Sequence, residues 1–307
     1  MENANEILFR CSSLSNIMAD LGGITEAQMR TLNTLLNKEK ALTAIQAETV
    51  KELTKKRDTK PELTSGIITH LIDVFVSNQY NRFTEIKAKQ LDKGNEVEED
   101  SITTVSRITK KNFKKNKTHL RNDFILGTPD LYEGEGIYNA EIIRDTKSSW
   151  DIYSFTRAKH KELPSANKWQ GTGYMDLTGA KKCFIDYCLN NTPYRLVNKE
   201  LHYESYNHDD NNTPAWIELQ IIGNHTYDKK TFDEYIDIRC VNINEDENSK
   251  AVYHSFVEIP LLERYFCFEF DRNEDDIKAL HERVVECRNW MNKELFKVEK
   301  HKITINQ

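Results

Sequence analysis

Residues 123–150 constrain the fold more than any other stretch, because their periodicity is that of strands. The runs DFILGTPDLYE and GIYNAEIIRDTKSS are rich in β-branched and aromatic residues. Between them lie Gly134 and Gly136, a pair that is typical of a chain reversal. The stretch therefore predicts a β-hairpin whose second strand ends at the polar run Asp-Thr-Lys-Ser-Ser.

Two acids and a lysine are predicted to meet at one end of this hairpin. Asp145 and Lys147 project to the same face, since they are two residues apart on a strand. The reversal lies midway between Asp130 and Asp145, so folding brings both carboxyls together. Such a pair is costly unless a cation lies between the groups. Carboxylate oxygens suit Mg²⁺ or Mn²⁺, and a nearby lysine can orient a water or neutralise charge on a phosphorane.

Each of these residues also has an ordinary structural interpretation. Asp130 follows Pro129, as turn aspartates often do. Asp145 and Lys147 are compatible with a surface ion pair at a strand end. The lysines of TKKNFKKNKTHLR, Lys111, Lys114 and Lys115 among them, are either a solvated loop or a patch that contacts phosphates. Ser148 and Ser149 are further candidates for phosphate contacts.

Apolar residues at helical spacing predict helices on both sides of the hairpin. Segments that begin at Thr25 and Thr43 resemble each other with an offset of 18 residues and predict an antiparallel helix pair with threonine N-caps. Helices are also predicted over 64–83, over 84–108 with an interruption at Gly94, at the start of 166–189 and over 273–297. Strands are predicted at the end of 166–189 and over 252–260.

Composition excludes several classes of protein. The 307 residues contain no apolar run of membrane-span length, and MENANEILFRCSSLSNIM is not a secretory signal, which predicts a cytoplasmic protein without a membrane partner. The six cysteines lack the spacing of a zinc site and are predicted to be reduced thiols. The formal charge of −6 does not indicate nucleic-acid binding, but carboxylates that hold a metal also count as negative.

Four motifs in a fixed order resemble the PD-(D/E)xK nuclease superfamily, and within it the phage-type exonucleases related to lambda exonuclease. KQLDKGNEVEEDSI resembles the Gly-x-x-x-Glu helix and supplies Glu98, with Glu99 as the alternative. Asp130 and Asp145-x-Lys147 follow, and KWQGTGYMDLTGAKKCFIDYCL resembles the Gln-x-x-x-Tyr helix. Asp145 stands where lambda-type relatives more often carry Glu.

The resemblance implies a fold and a role for each motif residue. It implies an α/β fold with a restriction-endonuclease-like core, in which helices flank a mixed central sheet, with residues 1–60 as an N-terminal helical extension and 61–307 as the nuclease domain. Glu98, Asp130, Asp145 and the Thr146 carbonyl would hold Mg²⁺, for which Mn²⁺ would substitute. Lys147 would assist the attacking water, Gln170 would position Lys147 or the phosphate, and Tyr174 would contact DNA.

The function that the resemblance implies is exonucleolytic hydrolysis at duplex DNA ends, in recombination or DNA processing. Expected partners are a single-strand annealing protein and further copies of the chain. Cys267 and Cys287 lie too far apart in sequence for the cysteine cluster of iron–sulfur relatives, so no such cluster is expected. A structure-dependent endonuclease and a non-catalytic DNA-binding or assembly subunit remain the alternatives.

Overall fold

The computed structural model describes residues 3–38, 40–59, 62–84, 88–208 and 213–296. The described residues fall into two compact units. The first lies within Met1–Ile7, Ser15–Phe83 and Glu282–Gln307, and the second within Leu8–Leu14 and Thr84–His281. The predicted division at residue 60 into an extension and a nuclease domain stays a prediction.

A mixed four-stranded sheet forms the centre of the second unit, with strand order β4-β5-β6-β7. β5 pairs antiparallel with β4 and parallel with β6, and β6 pairs antiparallel with β7. A smaller sheet has the order β1-β3-β2. The strands are β1 Phe9–Arg10, β2 Leu120–Arg121, β3 Ile125–Gly127, β4 Leu131–Gly134, β5 Ala140–Ser148, β6 Lys182–Cys188 and β7 Tyr265–Asp271. The predicted α/β class with a mixed central sheet is therefore confirmed.

Helices account for most of the remaining described residues. They are α1 Leu14–Ile17, α2 Glu26–Leu36, α3 Ala44–Asp58, α4 Ser65–Tyr80, α5 Lys89–Glu96, α6 Glu98–Thr109, α7 Ile152–Lys159, α8 Ser165–Thr178, α9 Tyr194–Ser205, α10 Ala215–His225, α11 Lys229–Arg239, α12 Glu247–His254 and α13 Glu274–Met291. A π-helical turn over Asn292–Phe296 follows α13. None of the described helices has the length and apolar character needed to cross a bilayer.

The predicted helix pair near the N-terminus is α2 with α3. Thr25 and Thr43 each accept a hydrogen bond from the backbone N–H three residues later and complete a capping box with a glutamine. The pair is antiparallel, since Nζ of Lys56 near the end of α3 donates to Oε1 of Gln28 at the start of α2, at 3.0 Å. The prediction of capped antiparallel helices is confirmed.

The hairpin is formed by β4 and β5, as its two glycines predict. Gly134 has a φ of 137°, and a Cβ there would lie 2.7 Å from the Asn139 carbonyl oxygen. A side chain would therefore be strained at this position. Leu131 pairs with Arg144, which sets Asp130 beside the next residues of β5.

Two predicted elements differ from the structure, and one strand was not predicted. The break between α5 and α6 falls at Val97 rather than at Gly94, which lies inside α5. Residues 252–260 are not a strand. Asp246 caps α12 through the backbone N–H of Ser249, and the helix continues to His254, the third residue of that segment. The fourth strand of the sheet is β7, whose alternating Phe266, Phe268 and Phe270 are less exposed than the residues between them. The last residue of the predicted helix over 273–297 lies outside the described residues.

Candidate active site

The β4–β5 register fixes Asp130 at the edge of β5. Its Oδ2 accepts hydrogen bonds from the backbone N–H of Thr146 at 2.7 Å and from the Thr146 hydroxyl at 2.9 Å. Asn116 holds the preceding turn from the other side, because its side-chain amide donates to the Pro129 carbonyl at 2.9 Å and its backbone N–H donates to the Asp130 carbonyl at 2.7 Å. In a strand, the backbone N–H and C=O of one residue point toward the same side of the strand. Because the N–H of Thr146 points toward Asp130, the Thr146 carbonyl also points to that side.

Asp145 and Lys147 form an ion pair that a glutamine bridges. Nζ of Lys147 lies 2.6 Å from Oδ2 of Asp145 and donates to Oε1 of Gln170 at 2.9 Å. The amide nitrogen of Gln170 donates to Oδ1 of Asp145 at 3.1 Å and to the Tyr174 hydroxyl at 2.9 Å. Gln170 and Tyr174 lie one turn apart on α8, which crosses the face of β5 that carries Asp145. The strand and the helix thus hold four polar side chains in one connected network.

Glu98 joins this group from the opposite wall. It begins α6 with 24% of its side chain exposed, and its carboxylate pairs with Nζ of Lys115. One cavity of about 320 Å³ connects all of these groups. Its lining residues are Gln90, Leu91, Gly94, Asn95, Glu98, Asp130, Asp145, Thr146, Lys147, Ser148, Gln170 and Tyr174. Glu99, the alternative to Glu98, is exposed and is not part of this lining.

Burial and like charge govern the electrostatics of the cavity. Burial raises the pKa of Asp130 above its ordinary value, and the neighbouring Asp145 carboxyl raises it further. Burial lowers the pKa of Lys147, but Asp145 and then Asp130 raise it, and the net shift is upward. The site therefore keeps Lys147 as a cation and disfavours ionisation of Asp130 unless more positive charge is present.

Comparison with solved structures identifies the fold. A phage-related exonuclease from Haemophilus somnus 129PT matches with a TM-score of 0.59 and 20% sequence identity, over 95% of this chain and 97% of that chain. This chain has the fold of a phage-related exonuclease. An alkaline exonuclease from Laribacter hongkongensis matches over 95% of this chain and 91% of that chain, with a TM-score of 0.48 and 11% identity. No protein-family model and no curated protein matches the chain.

The carboxylates that line the cavity in this exonuclease fold offer the oxygen ligands that a divalent cation prefers, but each already has a partner. Oδ2 of Asp145 is buried and has no hydrogen-bond donor among the described residues, apart from its ion pair with Lys147. Within the same residues, no three His, Cys, Asp or Glu side chains already enclose a common point. Lys115 instead holds Glu98, and Lys147 holds Asp145. A cation would therefore have to replace these ammonium contacts.

Only some of the other residues that the sequence predicts to contact DNA lie at the cavity or, as far as the structure describes the chain, are free of ion pairs. Ser148 lines the cavity, and its hydroxyl lies 2.8 Å from that of Ser101. Ser149 is buried outside this lining, and its backbone N–H donates to the Cys188 carbonyl. In the lysine-rich loop, Lys111 pairs with Glu133, whereas the exposed Lys114 has no ion pair in the described part of the chain.

Sequence reasoning missed the wall that α5 contributes to the site. Gln90, Gly94 and Glu98 follow one another at intervals of four residues, so they lie along one side of consecutive helical turns. That spacing was visible in the Gly-x-x-x-Glu motif, but only the glutamate was assigned a role. Asn116 was also missed, because its backbone contacts to the Pro129–Asp130 turn leave no periodic signal.

Gly171, the residue after Gln170, lets helix α8 pack closely against the sheet. A Cβ at Gly171 would lie 2.6 Å from Sγ of Cys183 and 2.6 Å from Cζ of Phe270. We expect Gly171→Ala to lower the free energy of unfolding by about 1–3 kcal/mol, because α8 must move off the sheet. Urea unfolding measures this change. The matched control is Gly66→Ala near the start of α4, where nothing lies within 4 Å of the added Cβ and alanine should leave the free energy of unfolding unchanged or slightly raised. Equal stability of the two variants would contradict the close packing of α8.

Proposed function

We propose that this chain is a metal-dependent deoxyribonuclease, an exonuclease that hydrolyses phosphodiester bonds at DNA ends. The observation that carries the proposal is the network of Asp130, Asp145, Lys147 and Gln170 on the wall of one cavity. The likeness of the fold to a phage-related exonuclease supports it. We extend the proposal, on the sequence resemblance, to recombination with an annealing protein and to a homo-oligomer.

The metal would be Mg²⁺, or Mn²⁺ in its place, held by Glu98, Asp130, Asp145 and the Thr146 carbonyl. When bound, such an ion supplies a water of lowered pKa and stabilises charge on the attacking and leaving oxygens. These ligands are oxygen atoms only, as hard divalent cations prefer. Asp130 would then be ionised, since the positive charge of the ion offsets the effects of burial and of the neighbouring Asp145 carboxyl.

Lys147 and Gln170 would orient the reacting groups. Lys147, released from Asp145, would donate a hydrogen bond to the attacking water or to a phosphate oxygen. Gln170 limits the motion of this ammonium group through its Oε1, which lies 2.9 Å from Nζ, and Tyr174 fixes Gln170 in turn. Lys115, released from Glu98, would turn to the DNA backbone together with Lys111, Lys114 and the Ser148 hydroxyl.

Linear and covalently closed DNA test the proposal directly. We expect end-labelled linear duplex to lose nucleotides progressively in Mg²⁺ and to remain intact in EDTA. Closed circular duplex of the same sequence should stay uncut, because an exonuclease needs an end. Cutting of the circle would favour the endonuclease alternative, and no hydrolysis of either substrate would favour a non-catalytic DNA-binding subunit.

A further inference from the structure

Helix α5 has two different faces. At 100° per residue, Gln90, Leu91, Gly94 and Asn95 share the face that lines the candidate active site. The opposite face carries four charged residues, Lys89, Asp92, Lys93 and Glu96. All of α5 is described, and Lys93 is its one buried residue. This wall of the cavity is therefore not held in place by buried apolar side chains of its own.

Lys93 is the anchor on the charged face. Its side chain is 0% exposed, and Nζ donates to the Trp150 carbonyl at 2.9 Å and lies 5.7 Å from the centre of the Tyr227 ring. Trp150 lies two residues beyond the end of β5 and three residues after Lys147. The contact thus ties the cavity wall to the strand that carries the candidate catalytic groups. Lys93 also precedes Glu98 by little more than one turn, and its carbonyl accepts the backbone N–H of Val97 at the α5–α6 junction.

The ion pairs of α5 on this face run to α9 and are largely exposed, and Nζ of Lys89 also lies 4.8 Å from the centre of the Trp150 ring. Lys89 pairs with Glu200 at 2.8 Å, Glu96 pairs with Arg195, and Asp92 lies 4.0 Å from Nζ of Lys199. Exposed pairs of this kind contribute little to stability, and they tolerate displacement. The buried amino group of Lys93 is the contact that can define a single position for the wall.

A buried lysine at this position is expensive. Burial lowers the pKa of Lys93 to about 7, against the opposing effect of Asp151. Its hydrogen-bond acceptor is a neutral carbonyl rather than a carboxylate, so the charge is not neutralised by direct contact. An apolar side chain of similar length would fill the same space without this cost. A costly group next to a site is expected where the site needs a defined geometry.

We infer that Lys93 is a positioning residue for the candidate active site, one that fixes α5 and Glu98 against the end of β5 through the Trp150 carbonyl. The inference rests on the proposed function for its effect on turnover. It predicts that removal of the amino group, and with it the hydrogen bond to the Trp150 carbonyl, lets the cavity wall shift relative to Asp145 and Lys147. A displacement of about 1 Å at a site can cost about 10²-fold in rate, even when the mutation is far from the reacting groups.

Lys93→Met separates positioning from a structural role. The matched control is Lys89→Met on the same face, where Nζ lies 4.8 Å from the Trp150 ring but remains exposed to solvent. For Lys93→Met we expect turnover to fall about 10-fold or more and half-maximal activity to require several-fold more Mg²⁺, with no loss of unfolding free energy in EDTA. Lys89→Met should stay within about twofold of the wild type in all three measurements.

Two results would overturn the inference. One is turnover in Lys93→Met within about twofold of the control; the other is a loss of turnover no larger than the loss of folded protein. Stabilisation against heat by Mn²⁺ gives a readout that does not need hydrolysis. If the wild type binds Mn²⁺ but leaves DNA intact, the proposed function fails. The positioning role of Lys93 is then tested by the thermal stabilisation alone. A several-fold weaker Mn²⁺ response in Lys93→Met supports the inference, and an unchanged response contradicts it.

Discussion

Asp145→Asn is expected to abolish Mg²⁺-dependent DNA hydrolysis, with a loss of about 10³-fold or more. Asp145 is 2% exposed, and its Oδ2 contacts the ammonium group of Lys147 at 2.6 Å. Asparagine keeps the size of the side chain but removes the charge that would hold the ion. Loss of several kcal/mol of metal-derived stabilisation corresponds to a rate decrease of this size. Single-turnover degradation of end-labelled duplex measures it.

A second charge on the same strand provides the matched control for Asp145→Asn. Glu141→Gln removes an exposed carboxylate near the start of β5 and should leave turnover within about twofold of the wild type. Thermal unfolding in EDTA checks that both variants are folded. In the wild type and in Glu141→Gln, Mn²⁺ should raise the melting temperature, and in Asp145→Asn it should not. More than about one tenth of wild-type hydrolysis in Asp145→Asn would show that the site lies elsewhere.

Local signals in the sequence were sufficient to predict the part of the site that one hairpin builds. The two-residue spacing of Asp145 and Lys147 and the glycines at 134 and 136 are short-range features, and their consequences are settled within β4 and β5. The threonine caps of α2 and α3 are equally local. The spacing of Gln170 and Tyr174 was readable in the same way, because four residues make one helical turn.

The rest depends on contacts between residues far apart in sequence. Lys115 pairs with Glu98 across 17 residues, and Lys111 pairs with Glu133 across 22, so part of the basic loop faces acids rather than open solvent. No spacing rule predicts such pairs, since they are set by the distance between α6 and the loop after folding. β7 is a different case: its alternation of phenylalanines was present, but it is short, and its partner β6 lies about 80 residues earlier.

Beneath the candidate site, the opposite face of β5 carries a buried ion pair. Arg144 points away from Asp145, as adjacent strand residues do. Its Nε donates to Oδ2 of Asp186 at 3.1 Å, and its guanidinium carbon lies 4.2 Å from the centre of the Phe184 ring. Asp186 is 0% exposed and also accepts from the Tyr265 hydroxyl at 2.6 Å. Removal of the arginine would therefore leave a buried carboxylate without its cation.

Arg144→Met is expected to lower the free energy of unfolding by about 3–5 kcal/mol at pH 8. Burial raises the pKa of Asp186 to about 6 against the opposing effect of Arg144, so the native state binds this proton more tightly than the unfolded chain. A carboxyl group whose pKa is raised by folding adds to the stability of the native state, and the addition is complete at pH values below the ordinary pKa of 3.8. This contribution to stability is lost as the pH rises through about 6, the pKa of Asp186 in the folded protein. Without Arg144 the pKa rises further, so the cost of the substitution should shrink as the pH falls from 8 to 5.

Urea unfolding in EDTA at pH 5 and pH 8 measures both parts of this prediction. Arg121→Met, which removes an exposed arginine from β2, should change the free energy of unfolding by less than about 0.5 kcal/mol at either pH. In the double variant Arg144→Met with Asp186→Asn, much of the loss at pH 8 should be recovered, because the uncompensated charge is gone. A cost for Arg144→Met that is equal at the two pH values would mean that packing against Phe184, rather than the charge of Asp186, accounts for the role of Arg144.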